Sequence, residues 1–319
     1  MGDEEPGYPA TWIEFERWFA TEQACLDYLF RLRWPDGFRC PRCQGERSWP
    51  TGRVGLLECA SCHHQATVLA GTIFEGTRKP LQLWFRAMWL ITSQKNGVSA
   101  LAVQRQLGLK RYETVWTMLH KLRRAMVRPG RDRLVGTVEA DETYVGGEEQ
   151  GVRGRGSVTK TLVAVAVEED GAGIGRIRLE PLPDASGSSL LGFVERNVEP
   201  GSLVRTDGWD AYDSIRERGY RHKAVNIKRS GMPAHDVLPR VHLIASLLKR
   251  WLLGTHQGAV RSIHLDYYLD EFAFRFNRRK SRRRGMLFYR LAQQAATIEP
   301  VTWATIADGE RGPQPAVPA

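Results

Sequence analysis

The stretch VEADETYVGG, Val138–Gly147, decides how the fold is read. Small and apolar residues alternate from Val138 and run into Gly146–Gly147, the pattern of a strand entering a hairpin turn. Adjacent carboxylates at Asp141 and Glu142 interrupt that pattern. Carboxylates are rarely fully buried unless they are paired or bound to a metal. An acidic pair in a strand is more often structural than chemical, so its meaning depends on what else in the chain meets it.

Downstream, the pattern is rich in strands. Leu134–Tyr144, Thr161–Glu168 and Gly175–Leu182 read as three strands, followed by a helix at Ser188–Asn197. A strand at Ser202–Thr206 carries Asp207 at its end in the run TDGWDAY. A helix at Ala211–Arg218, a short strand near Lys223–Asn226 and a helix at His242–Leu253 complete the series. Between the first two strands lies the Gly-rich loop GGEEQGVRGRGS, without a phosphate-loop lysine. It is either a hairpin tip whose Arg153 and Arg155 touch a phosphate backbone or a solvated loop. Further on, Leu265, Tyr268, Leu269, Phe272 and Phe276 make a helical apolar face. A basic cluster follows: Arg278, Arg279, Lys280, Arg282, Arg283 and Arg284. Such a run is often only solvated; joined to an aromatic helix it suits a phosphate backbone.

Upstream, Pro129–Gly130 marks a boundary. Trp12, Phe15, Trp18, Phe19, Leu26, Leu29 and Phe30 lie at helical spacing, with Cys25 among them as a buried apolar residue. Then come CPRC (Cys40, Cys43), fifteen residues, and CASC (Cys59, Cys62). Two close pairs at this separation suit a zinc ribbon, each turn aiming two thiolates at one Zn2+. Four thiolates close the site, so the zinc holds structure and activates no water; His63 and His64 are spare. Pro80 opens a helix bearing Leu81, Trp84, Phe85, Met88 and Trp89. Next, Ser99 caps a short helix, Gly108 forms a turn, and Val115, Met118, Leu119 and Leu122 stripe a second helix whose polar face carries Thr117, Lys121 and Arg124. This is the pattern of a helix-turn-helix, although helical hairpins also occur as plain bundle parts.

The 319 residues allow two or three domains, and the net charge of +10 favours an anionic partner, nucleic acid first. No run of about 18 apolar residues predicts a membrane span. The acidic start MGDEEPGYPATW lacks an apolar signal region, which predicts an intracellular protein.

Taken together, CPRC…CASCHHQATVLAGTIFEGTRKPLQLWF, VEADETYVGG, TDGWDAY and LLKRWLLGTHQGAV…HLDYYLDEFAFRFNRR resemble the bacterial insertion-sequence transposases of the ISXO type. The resemblance covers roughly residues 15–295, with several independent motifs in order. It implies an α/β, ribonuclease-H-like mixed sheet with flanking helices, behind an N-terminal zinc ribbon and a helix-turn-helix-like DNA-binding region. The expected divisions are a helical segment at 1–36, the ribbon at 37–72, the DNA-binding region at 76–130, the catalytic domain at 134–295 and a flexible tail at 296–319. The activity implied is that of a DDE-type transposase. It would bind double-stranded DNA at terminal inverted repeats, then cleave and join strands into target DNA with Mg2+ or Mn2+. Asp141 is then the first catalytic carboxylate and Asp207 the second, brought together because the first and fourth strands of such a sheet are neighbours.

At the third position the helix reads RVHLIASLLKRW, with His242 where many relatives carry Glu and others Asn or His. Lys249 matches the family's basic residue. Almost two helical turns separate them, so His242, Ser246 and Lys249 share a face. That suits a metal ligand beside a cation for DNA phosphate, and leaves the preferred metal open, since imidazole is softer than magnesium prefers. Lys249, Thr117, Lys121, Arg124, Arg282, Arg283 and Arg284 are the expected DNA contacts. A homodimer or higher oligomer on DNA, in the cytoplasm with the nucleoid, is the expected setting. Two alternatives stay open: a domesticated, inactive DNA-binding regulator, and a metal-dependent nuclease that cuts without joining.

Overall fold

A computed structural model describes residues 7–128, 130–146, 160–225, 231 and 233–309. The loop with Arg153 and Arg155, residue Asn226 of the expected short strand, and the tail from 310 lie outside the described residues. Two compact units emerge: one runs to Pro129 and resumes at Lys280, and the other is Gly130–Arg279. Among the described residues, no helix is long and apolar enough to cross a membrane.

The first unit opens with helices α1 (Trp12–Trp18) and α2 (Glu22–Arg33), each capped by a threonine hydroxyl, from Thr11 and Thr21. A three-stranded antiparallel sheet follows: β1 (Ser48–Pro50), β2 (Leu56–Cys59) and β3 (Gln65–Thr67). Helix α3 (Leu81–Ser93) buries Leu81, Trp84, Phe85 and Met88, as its spacing predicts. Ser99 caps α4 (Ala100–Leu107), and Gly108 ends it at φ 63°, a left-handed conformation that suits glycine. Helix α5 (Tyr112–Ala125) buries Val115, Met118, Leu119 and Leu122. Cys25 is fully buried, and burial pushes its thiol up to about 12.

The second unit contains β4 (Thr137–Val145), β5 (Thr161–Asp170), β6 (Gly173–Leu182), α6 (Gly187–Asn197), β7 (Leu203–Thr206) and β8 (Arg221–Ala224). After these come α7 (Ala234–Val237), α8 (Pro239–His256) and α9 (Leu265–Asn277). The sheet order is β6-β5-β4-β7-β8, antiparallel through β6-β5-β4 and parallel through β4-β7-β8. The first and fourth strands are therefore neighbours, the ribonuclease-H-like arrangement expected. One face of β4 and its neighbours, with Val138, Ala140, Ala164 and Val204, packs on Leu190, Phe193 and Val194 of α6 and on Tyr212 and Ile215. Helix α8 packs against β4 and β5, and α9 against β6. Asn277 at the end of α9 accepts from the Ile177 amide at 2.7 Å and donates to the Ile177 carbonyl at 3.2 Å, closing the β6 edge.

Several boundaries differ from expectation. The first strand begins at Thr137 because Gly136, at φ 78°, turns the chain; Leu134 makes only an isolated bridge to Val198. Residues Asp210–Arg218 form a 3-10 helix and not an α-helix. Helix α8 starts earlier, with Pro239 in its first turn, where a missing N–H costs nothing. The last helices, α10 (Gly285–Ala295) and α11 (Trp303–Ala307), belong to the first unit. The expected flexible tail thus holds α11 and buries Ile298, Val301 and Ile306, and the expected catalytic domain, drawn to residue 295, ends before α10. Phe288 of α10 explains it: its ring meets Phe15 edge-on at 5.4 Å and Phe85 at 5.7 Å, inside the aromatic core of that unit.

Candidate active site and zinc site

Alternation along β4 sends Val138 and Ala140 to the α6 face, so Glu139 and Asp141 face α8. Glu142 falls on the opposite face from Asp141 for the same reason. It is therefore not a substitute for a ligand on α8. Strands β4 and β7 pair in parallel as Thr137–Leu203, Val138–Val204 and Glu139–Arg205. The pairing ends there; two residues further, the same register leads to Asp141 on β4 and to Asp207, which follows the last residue of β7. The Asp207 carboxylate accepts from the Trp209 amide at 3.0 Å, which fixes the turn leaving β7. Before it, Thr206 Oγ1 accepts from the Gly208 amide at 3.4 Å and lies 3.0 Å from His222 Nε2. Burial, then Arg216, holds the His222 imidazole below its ordinary value of 6.5.

His242, in the first turns of α8, sets Nε2 3.8 Å from Asp141 Oδ2. The imidazole is one-third exposed and the carboxylate 14 % exposed, while the Nε2 atom facing Asp141 is itself buried. Two ligand atoms each about 2.1 Å from one ion lie at most about 4.2 Å apart. The 3.8 Å separation lies within that limit. Ser246 and Lys249 are exposed on the same helix face. Partial desolvation, and then nearby Lys160, a second cation the sequence did not single out, draw the Lys249 ammonium below its ordinary value although the residue as a whole is exposed.

Beneath Asp141 and Asp207 lies a buried charge network that the sequence also did not reveal. Glu139 is fully buried. Its Oε2 accepts from the Arg240 amide at 2.8 Å and the Val241 amide at 3.0 Å, and its Oε1 from Arg240 Nη1 at 3.0 Å. Glu169 accepts from Arg205 at 2.8 Å and from Arg240 at 3.1 Å. The usable signal was the spacing: Glu139 is two residues before Asp141 and must share its face.

The four ribbon thiols lie within 4.8 Å of one another, with Cys40–Cys62 at 3.7 Å and Cys43–Cys59 at 3.6 Å. A tetrahedral site with Zn–S bonds of about 2.3 Å has sulfurs about 3.8 Å apart. The cluster therefore fits a structural zinc. The two turns are built alike. Gln44 (φ 62°) and His63 (φ 56°) each take the left-handed conformation just after a C-x-x-C pair, donating to the carbonyls of Cys40 and Cys59 at 2.9 and 3.0 Å. The Cys59 thiol is drawn down to about 6, chiefly by the Ser61 backbone N–H, which favours the ligating thiolate. His63 instead pairs with Glu58 at 3.1 Å and stays outside the cluster.

The expected DNA contacts separate. Arg282, Arg283 and Arg284 are exposed. On α5, Thr117 donates to its own helix at Glu113, Lys121 is half-buried, and Arg124 is buried. The exposed polar residues around the turn and the start of α5 are Arg105, Gln106, Lys110, Arg111, Tyr112 and Glu113, three cations against one carboxylate.

Residues 133–277 match the ISXO2-like transposase domain, and residues 20–65 match the transposase zinc-ribbon domain. A protein in transposable element ISH50 of Halobacterium salinarum is 27 % identical over 278 residues, which are 81 % of this chain and 91 % of that protein. A chain in the crystal structure of the Mos1 strand transfer complex is similar at 13 % identity and a TM-score of 0.27, over 71 % of this chain and 78 % of that one.

Proposed function

We propose that this chain, whose residues 133–277 match the ISXO2-like transposase domain, is a DNA transposase that cuts and joins DNA at one site built from Asp141, Asp207 and His242. The observation that carries this reading is the parallel β4–β7 register facing His242, which stands 3.8 Å from Asp141. Two carboxylates and an imidazole on rigid strands and a helix make a donor set for Mg2+ or Mn2+. Divalent cations held by these residues would supply positive charge to a displacement at phosphorus. The side chains fix where a phosphodiester sits. Lys249, with Lys160 close by, holds its non-bridging oxygens.

In cleavage, water adds to phosphorus, and the bond to the 3′ oxygen breaks to leave a 3′ hydroxyl. In transfer, that hydroxyl attacks a target phosphate and releases a second 3′ hydroxyl. Both are displacements at phosphorus, so one arrangement serves both.

The terminal inverted repeats are held by the zinc ribbon, by the turn between α4 and α5, and by Arg282–Arg284. Recognition helices read base edges from their N-terminal residues, which here makes Lys110, Arg111 and Tyr112 better placed than buried Arg124. Two copies or more act together on DNA, in the cytoplasm with the nucleoid.

The test is incubation of a labelled repeat end and a target duplex with Mg2+ or Mn2+. Wild type is expected to give nicked and strand-transfer products, and Asp141→Asn and Asp207→Asn neither. Nicked product alone would reduce the reading to a nuclease. Binding without any cleavage would reduce it to a regulator.

A further inference from the structure

Helix α8 cannot cap itself. Its N-cap residue, Leu238, has no side-chain acceptor, and the first-turn amides of Arg240 and Val241 need partners. Both are satisfied by one oxygen of Glu139, at 2.8 and 3.0 Å. Glu139 is on β4, two residues before Asp141 and on the same face. The strand that carries the first carboxylate thus also supplies the cap of the helix that carries the third ligand. From Glu139 to Asp141 the strand advances about 7 Å. From Val241 to His242 the helix advances about 1.5 Å. Both paths are regular backbone, so the cap fixes the gap between Asp141 and His242 across an otherwise independent packing of helix on sheet.

We infer that Glu139 is a positioning residue for the divalent-cation site, acting through the α8 amides to set His242 against Asp141. This rests on the reading of Asp141 and His242 as ligands. Glu139 itself is fully buried and engaged with α8, so it is not a ligand. Its other oxygen bonds Arg240 Nη1 at 3.0 Å, which ties the first turn of α8 down by side chain as well as by backbone.

The decisive variant is the double substitution Glu139→Leu with Arg240→Leu. It removes one charge of each sign and leaves the 2.8 Å Arg205–Glu169 pair intact. Replacing a buried ion pair by apolar side chains is often neutral for stability. The amide cap, however, is lost. Mn2+ binding to the full chain is followed by paramagnetic resonance, and exchange of the Arg240 and Val241 amides by hydrogen exchange. The expected result is a folded protein with faster exchange at both amides and Mn2+ affinity at least about tenfold weaker, in the range seen for lost outer-shell partners. Cleavage should fall at low Mn2+ and recover in part at high Mn2+. Glu139→Gln keeps an acceptor for the amides and should fall between the double variant and wild type; it decides by the same titration where the double variant does not fold. Wild-type Mn2+ affinity in these variants overturns the inference, since a purely structural residue would leave affinity unmoved. His242→Ala separates the two levels. If it binds Mn2+ like wild type, the ligand reading fails and the inference with it. If it is weakened beside unaffected Glu139 variants, the inference alone fails.

Discussion

Replacing His242 by glutamate puts a second carboxylate where the imidazole now stands, 3.8 Å from Asp141. At that separation, and an effective dielectric of about 20, two like charges repel by about 4 kcal/mol. The side chain is one-third exposed, and screening there leaves roughly 1–2 kcal/mol. For a unit of this size the cation-free protein should melt about 2–8 °C lower than wild type. A cation bridging the two carboxylates removes the repulsion. Mg2+ or Mn2+ at about 100 times its Kd returns about 2.7 kcal/mol, so the melting temperature of His242→Glu should rise more steeply with cation than that of wild type. Cleavage should survive, because oxygen ligands suit Mg2+. His242→Ala carries no repulsion and should melt near wild type, with cleavage reduced at least about 100-fold, more than for loss of an outer-shell partner. Repeat binding should be unchanged in both. Calorimetric scans with and without cation, run beside the cleavage assay, test this. An active Ala variant beside a Glu variant that unfolds and ignores cations would show that His242 only packs.

Cys40→Ser or Cys59→Ser should release the zinc, unfold the ribbon and weaken repeat binding while Gly130–Arg279 stays folded; wild-type protein with zinc content near zero would contradict this. Neutralising Arg282, Arg283 and Arg284 together should flatten the slope of log K against log salt by up to about 2.7, from about 0.9 for each phosphate released, and an unchanged slope would leave the cluster solvated. His222 is held below 6.5, so the unfolded chain takes up this proton first. Its contribution to stability is complete above pH 6.5 and is lost as pH falls through 6.5 towards the lower folded value. His222→Gln should flatten denaturant stability across that window, and parallel pH profiles would refute the assignment.

The strands were legible because alternation and turns are local properties, whereas β4 beside β7 was implied by the family resemblance and not by the pattern itself. The zinc site was legible from spacing alone, since two C-x-x-C turns carry their own geometry. Periodicity failed on α5. It grouped Arg124 with Thr117 and Lys121, but the helix also buries His120 and Arg123, so its buried arc is wider than its apolar stripe. It failed again at the basic run after α9. Arg278 and Arg279 lie over Phe274 and Phe276 at 3.9 and 4.0 Å, and Arg279 bonds the Ile174 and Gly175 carbonyls. Arg279 closes the sheet edge and Arg278 bonds the Phe274 carbonyl of its own helix, whereas Arg282–Arg284 stay in solvent; charge alone does not distinguish these uses. Glu139 was hidden because its role depends on what Leu238, a hundred residues away, is unable to cap.

Helix α3 shows the same capping device without a site. Pro80 offers no cap, and Glu22 on α2 accepts from the Leu81 and Gln82 amides at 2.8 and 3.3 Å. There the carboxylate joins two helices of a core. In the second unit the capping carboxylate sits on the strand of Asp141, and its charge has to be absorbed without drawing on the site. Arg205 and Arg240 do this, two cations against Glu139 and Glu169, held at 2.8–3.7 Å. With that layer neutral, neither arginine is left over to pair with Asp141 or Asp207. Asp141 is left to face His242 Nε2 at 3.8 Å, the pair proposed above as ligands of a divalent cation.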